Sequence, residues 1–195
     1  MAIAAVPRRR AIEDVASALF RERGYAATSV RDIARALDIQ GASLYAHVTS
    51  KEDVLWAIVD RAATAFEAAA ADVGDGDGPP ADAVGALVRA HIGVIAANPE
   101  LASVFVHEWR HLSGERRQRI LDRRDAYETR FRTLIRRGID EGAFTATDPA
   151  LAASFLLAAL NGLAAWYRPG GRLAPKQIAD HYADLAVRAL TEDHR

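Results

Sequence analysis

The sequence predicts an all-α fold of about nine helices. Two observations carry this expectation. Apolar residues recur three and four apart along most of the chain, and no segment alternates apolar and polar residues as a strand does. Clusters of Gly, Pro, Asp and Ser then cut that periodic pattern into pieces of helical length. A chain of 195 residues, half of them hydrophobic and 26% charged, is ordinary for a globular protein and long enough for a sizeable core. There is no cysteine, which excludes disulfides and thiolate metal sites. The opening MAIAAVPRRRA is not ordered as a signal peptide, because its short apolar run precedes its basic residues. No run of eighteen apolar residues occurs, so neither a transmembrane helix nor a membrane partner is expected, and the lack of cysteine fits the cytoplasmic location expected.

The elements follow in order. The first helix spans about Arg8 to Arg23, buries Ile12, Val15, Ala16, Leu19 and Phe20, and stops at Gly24. Ser29 with Asp32 three residues on has the form of a capping box, opening a short helix whose apolar face is Val30, Ile33, Ala34 and Leu37. Asp38 to Gly41 breaks the pattern, with Gly41 as the permissive turn residue. A third short helix covers Ala42 to His47, with Leu44 and Val48 inward and Ser43 and Ala46 outward. Ser50 caps a fourth helix from Lys51 to Val73. Gly74 to Pro80 is a surface loop. Its alternating Asp and Gly lack the third acidic position and distal Glu of a calcium loop. The fifth helix spans about Ala81 to Ala96. Asn98-Pro99 starts a sixth that runs to about Leu112, and Ser113 caps a seventh reaching Glu141. After a turn at Gly142-Ala143-Phe144, Asp148-Pro149 opens an eighth helix ending near Tyr167. The ninth runs from Pro175 to about Glu192.

Thr28 to Leu55 carries the most chemistry. A capped helix, a tight turn and a second short helix form the layout that places the second helix in a DNA major groove. Small outward residues such as Ser43 and Ala46 let a backbone approach base edges and thymine methyls. The charge distribution has the matching sign. Residues 1–51 sum to +3 and the remainder to −4, and all but two of the 25 basic residues are Arg.

Gly24-Tyr25, Thr28-Ser29-Val30-Arg31-Asp32-Ile33-Ala34, Ser43-Leu44-Tyr45 and Ser50-Lys51-Glu52 resemble, without a gap, the DNA-binding domain of the TetR family of bacterial transcriptional regulators. The resemblance implies that Thr28, Ser29, Tyr45, His47 and Lys51 contact phosphates. It also implies that Gln40, Gly41, Ala42, Ser43 and Ala46 face the groove of a double-stranded operator. The chain departs from the family at Ala46, where an aromatic or large polar residue is common, and at Val48, where Phe is common. It further implies residues 1–50 as the helix-turn-helix domain and 51–195 as a helical effector-binding and dimerisation domain, in a ligand-responsive repressor that is not an enzyme.

Two further features compete for meaning. His107-Glu108-Trp109-Arg110-His111 fits the H-E-x-x-H zinc motif, which on a helix puts two histidines on one face with a glutamate base. The third histidine position of the longer form is Arg117, and no methionine follows Met1, so a zinc metallohydrolase is kept only as a distant alternative, no catalytic or metal-binding residue is assigned and no cofactor is expected. The second feature is an Arg-plus-aromatic set: Phe105, Glu108 and Trp109, then Arg116, Arg119 and Arg123, then Asn161, Trp166, Tyr167 and Arg168. Arginines suit phosphates and aromatic rings suit apolar surfaces, so the set is the candidate effector site. The same residues also fit a solvated arginine face over core and interface aromatics. Asn98-Pro99-Glu100-Leu101, Arg124-Asp125, Tyr127-Glu128 and Trp166-Tyr167-Arg168-x-Gly resemble the TetR subgroup that responds to acyl-CoA thioesters. An apolar drug or free fatty acid is the alternative effector. The eighth helix is apolar almost all round, and with Leu185 and Ala189 of the ninth it predicts a homodimer through the last two helices.

Overall fold

The computed structural model describes residues 8–73, 78–145 and 147–191. Among the described residues there are nine α-helices, one 3-10 turn and no strand. The helices are α1 (Arg8–Arg23), α2 (Val30–Ala36), α3 (Gly41–Tyr45), α4 (Lys51–Val73), α5 (Pro80–Ala97), α6 (Pro99–His107), α7 (Gly114–Asp140), α8 (Pro149–Trp166) and α9 (Pro175–Thr191). Residues 74–77 of the expected Gly74–Pro80 loop, and the expected end of the last helix at Glu192, lie outside the described residues.

The chain forms two units. One holds Met1–Ala63 with Glu100–Ile120, the other Thr64–Pro99 with Leu121–Arg195. The core of the first is built from Ile12, Ala16 and Phe20 of α1, Ile33 of α2, Leu44 of α3 and Leu55 and Ile58 of α4, all at most 1% exposed. Leu101, Val104, Phe105, Trp109 and Leu112 are buried in the same unit. The stretch from Glu100 to Ile120 thus clusters with the unit that carries the helix-turn-helix. In the second unit, α5 and α9 pack along most of their length. A Cβ at Gly85 would lie 3.9 Å from Ala183 Cβ, and Arg89 Nε donates to Asp180 at 2.8 Å.

Local chemistry explains the element ends. Ser29 Oγ accepts from Asp32 N at 3.2 Å while Ser29 N donates to the Asp32 carboxylate at 2.9 Å, closing the capping box. Ser50 Oγ accepts from Asp53 N at 3.0 Å. Asp148 Oδ1 accepts from Ala150 N and Leu151 N at the start of α8. Two expectations change. The left-handed residue between α2 and α3 is Asp38, with φ 53°, while Gly41 is the first residue of α3. A short polar side chain tolerates that conformation, so no glycine is needed there. The sixth helix stops at His107, and Trp109–His111 is a 3-10 turn. At the start of α7, Ser113 N–H and hydroxyl both donate to Glu52 Oε1 at 3.0 Å, while its carbonyl accepts from Arg117 N at 3.2 Å.

Both α5 and α8 are 18 residues long and apolar enough, by length and composition, to cross a bilayer. Half of α5 is buried within the protein.

Candidate functional site

The helix-turn-helix is assembled around two buried anchors. Leu44 is fully buried and Val48 3% exposed, which fixes the roll of the five-residue α3. That roll leaves Gln40, Ala42, Ser43, Tyr45 and Ala46 exposed and Gly41 and His47 half-buried. Tyr45 is 58% exposed, an uncommon state for a large ring unless something binds it. Exposed Arg31 and Arg35 border the same shallow groove as Gln40 and Gly41. These two arginines were not among the sequence candidates. Their position four apart on the outward face of α2 is the signal that marks them.

Three of the expected phosphate contacts have other partners. Thr28 is 1% exposed and its hydroxyl donates to Gly24 O at 2.9 Å, so it shapes the turn after α1 and is not presented to solvent. Ser29 spends its side chain on the Asp32 cap. Lys51 Nζ donates to Tyr25 O at 2.8 Å and Thr28 O at 2.9 Å and sits 4.1 Å from the Tyr25 ring centroid. It thus clamps the start of α4 to the α1–α2 turn. Burial, and then the charge of Glu52, push the Tyr25 hydroxyl pKa up.

The H-E-x-x-H segment belongs to this clamp region. Glu108 breaks the helix at φ −102° and ψ −11°, so the two histidines do not share one regular helical face. His111 stacks on Tyr25 with centroids 4.9 Å apart, and Glu108 Oε2 lies 3.4 Å from His111 Nε2. Among the described residues no group of three or more His, Asp or Glu side chains is placed to hold a metal ion. Asp53, 7% exposed, accepts from Thr49 N at 3.2 Å and lies 3.1 Å from Arg116 and 3.5 Å from Arg9. The guanidinium of Arg119 lies 5.1 Å from the Trp56 centroid.

The expected effector set is divided. Phe105, Glu108, Trp109, Arg116 and Arg119 are in the first unit, and Arg123, Asn161, Trp166, Tyr167 and Arg168 in the second. Arg123 is held by Glu67 at 2.6 and 2.7 Å and by Thr64 at 2.9 Å. Arg168 folds back on its own backbone, donating to Tyr167 O at 2.9 Å. Tyr167 is buried and Trp166 is 53% exposed.

Sequence reasoning missed the second unit's polar centre. His91 of α5 is 2% exposed, and its Nδ1 lies 3.1 Å from the hydroxyl of Tyr127 on α7. Phe66 packs on the imidazole with centroids 4.7 Å apart, and Phe131 continues the ring cluster beyond Tyr127. Asn161 of α8 interacts with the same imidazole. Burial holds the His91 pKa down at about 3, so the ring is neutral. Asn161 opposes that shift and the Arg124 charge adds to it. Burial likewise raises the Tyr127 pKa. The only sequence signal was a histidine inside an apolar stretch, which composition does not separate from a surface histidine.

The open face of the second unit is apolar. Leu151 (71% exposed), Phe155 (64%) and Trp166 (53%) on α8 and Leu185 (61%) on α9 all face out. These are the large hydrophobic side chains that a monomer rarely leaves together in water.

Residues 12–58 match the model of bacterial regulatory proteins of the tetR family, and residues 77–190 match the tetracyclin repressor-like C-terminal domain. Over 196 residues the chain is 31% identical to the HTH-type transcriptional repressor KstR2 of Rhodococcus jostii, covering 96% of this chain and 93% of that one. The structure of the ketosteroid transcriptional regulator KstR2 of Mycobacterium tuberculosis superposes with a TM-score of 0.89 at 29% identity, covering 97% of both chains. The structure of AibR in complex with isovaleryl coenzyme A and operator DNA superposes with a TM-score of 0.81 at 30% identity, covering 94% of this chain and 97% of that one.

Proposed function

This chain belongs to the TetR family of bacterial transcriptional regulators, and from that premise we propose a homodimeric repressor that leaves its operator when an acyl-CoA thioester binds. The observation that carries the DNA half is the roll of α3. Buried Leu44 and Val48 force Gln40, Ser43, Tyr45 and Ala46 outward on a helix flanked by Arg31 and Arg35. Gln40, Gly41, Ala42, Ser43 and Ala46 face the groove. Tyr45, His47, Arg31 and Arg35 take phosphates, which supply affinity without sequence choice. Residues 1–50 form the DNA-reading part and 51–195 respond to the effector and dimerise. The chain acts by binding, without catalysis, in the cytoplasm.

The exposed apolar face of α8 and α9 supports pairing of two subunits through these helices. A two-fold pair presents two reading helices to successive major grooves, which demands a palindromic operator. The effector prefers a state in which the two helices no longer match both half-sites. Its differential affinity for that state sets how much DNA is released. The thioester assignment rests on the Arg and aromatic content of the second unit and on AibR, which was solved with isovaleryl coenzyme A. KstR2, named a ketosteroid regulator, supports a ring-bearing acyl group over a short branched one.

The test is operator release measured by fluorescence anisotropy across matched acyl-CoAs, free acids and free coenzyme A. Release by thioesters alone supports the assignment. Release by free acids or apolar drugs with no response to thioesters overturns the effector class and leaves the DNA-binding assignment standing.

A further inference from the structure

His91 presents a problem that the fold leaves unsolved. Its Nδ1 is engaged by the Tyr127 hydroxyl at 3.1 Å, yet among the described residues Nε2 has no hydrogen-bond partner, although the residue is 2% exposed. Buried polar atoms are nearly always paired, because an unpaired one loses its water and gains nothing in return. The surroundings do not explain the histidine as packing. The ring contacts with Phe66 and Tyr127 need only an apolar side chain and do not call for a second ring nitrogen.

We infer that His91, packed by the Phe66 and Tyr127 rings and influenced by Asn161, is a recognition site for a neutral oxygen, a ketone or hydroxyl, on the apolar part of the effector. The inference rests on the reading of the second unit as the effector domain and specifies what part of the ligand that domain reads. A ketone would accept Nε2–H when the Tyr127 hydroxyl donates to Nδ1. A hydroxyl would donate to Nε2 when Nδ1–H donates to Tyr127. The pair can exchange these roles because a hydroxyl both donates and accepts. The aromatic walls suit a ring or a hydrocarbon chain around that single oxygen. A charged group is disfavoured at the same place, because the burial that keeps His91 neutral also penalises any ion brought beside it.

The experiment uses the full-length protein and two matched series. 3-(4-Oxocyclohexyl)propionyl-CoA, its 4-hydroxy analogue and 3-cyclohexylpropionyl-CoA form one, and the methyl esters of the same three acids form the other. Binding is read by calorimetry, and operator release by anisotropy. The oxygen-bearing members should bind at least tenfold tighter than the cyclohexyl member, since one buried hydrogen bond gained or lost is worth about that factor. In His91→Leu that preference should disappear while operator binding is kept; the Tyr127 hydroxyl then loses its partner, so the melting temperature falls. Tyr127→Phe, which removes the hydroxyl that orients the imidazole, should weaken the same preference.

Equal binding of all members of both series by the wild type overturns the inference, as does a preference that survives in His91→Leu. A crystal structure of the oxo complex with only a water on Nε2 overturns it too, as does no binding by either series. If the preference appears with the esters and not with the thioesters, His91 keeps its role and the thioester assignment is the one that fails.

Discussion

Replacing Lys51 by Met separates two roles that one ammonium group could play. In the structure Nζ donates at 2.8 Å to Tyr25 O and at 2.9 Å to Thr28 O, with the Tyr25 ring centroid 4.1 Å away. Hydrogen bonds from a charged donor contribute about 1.5–3 kcal/mol each, and the half-exposed setting puts these two at the low end. The ring adds about 0.5 kcal/mol at such an exposure. Ordering the lysine side chain costs about 1.5 kcal/mol. Lys51→Met keeps the packing of the stem and removes the charge, so the first unit loses about 2 kcal/mol. For a chain of this size that lowers the melting temperature by about 4–8 °C. In urea the midpoint falls with an unchanged slope, because the surface exposed on unfolding is the same. Operator affinity falls as well, since α4 is no longer tied to the turn ahead of α2. The slope of log affinity against log salt stays within about half a unit of wild type, whereas a lost phosphate contact lowers it by about 0.9. The assays are differential scanning fluorimetry, urea unfolding and an anisotropy titration at four salt concentrations. Unchanged stability together with a slope reduced by about 0.9 refutes the clamp and returns Lys51 to the DNA contacts.

Tyr45→Ala should weaken binding to operator and to non-specific DNA alike, while Ser43→Ala and Gln40→Ala should change which bases are preferred in a selection from randomised operators; equal effects on both DNAs from all three would refute the division of roles. Phe155→Arg or Leu185→Arg places a charge in the middle of the exposed apolar face of α8 and α9, and sedimentation should show monomers; dimers from both variants would place the subunit contact elsewhere. Gly138→Ala should destabilise by about 3 kcal/mol, measured by urea unfolding, because the new Cβ would lie 2.1 Å from the buried Phe144 ring and force it out of its site; unchanged stability would mean the ring moves aside freely. The Ser29 hydroxyl and backbone hold the Asp32 carboxyl below its ordinary pKa, so the stabilisation from the cap is complete above the usual carboxylate range and is lost as pH falls through the lowered value. The acid limb of melting temperature against pH should therefore be shallower in Asp32→Asn, and an identical limb would remove the cap from the account.

The all-α class, the number of helices and the reading helix were legible because each rests on local rules. Helical periodicity, a Ser29–Asp32 capping box and the Asp148 cap need only neighbours within four residues. The outward set on α3 was readable for the same reason, since the spacing of Leu44 and Val48 determines which residues remain outside. What tertiary structure decided depends on partners far along the chain. Thr28 and Lys51 carry the right chemistry for phosphate, but where those groups are spent depends on Gly24 and on carbonyls 23 and 26 residues away. The H-E-x-x-H segment was chemically ambiguous until His111 was found stacked on Tyr25 and the helix was found to end at His107. His91, Tyr127 and Asn161 lie on three different helices, and no local pattern marks them as neighbours. Periodicity tells which side of a helix is apolar, but burial of a polar atom is set by what the other helices bring against it. Only the folded chain therefore shows that one imidazole nitrogen is left without a partner among the described residues.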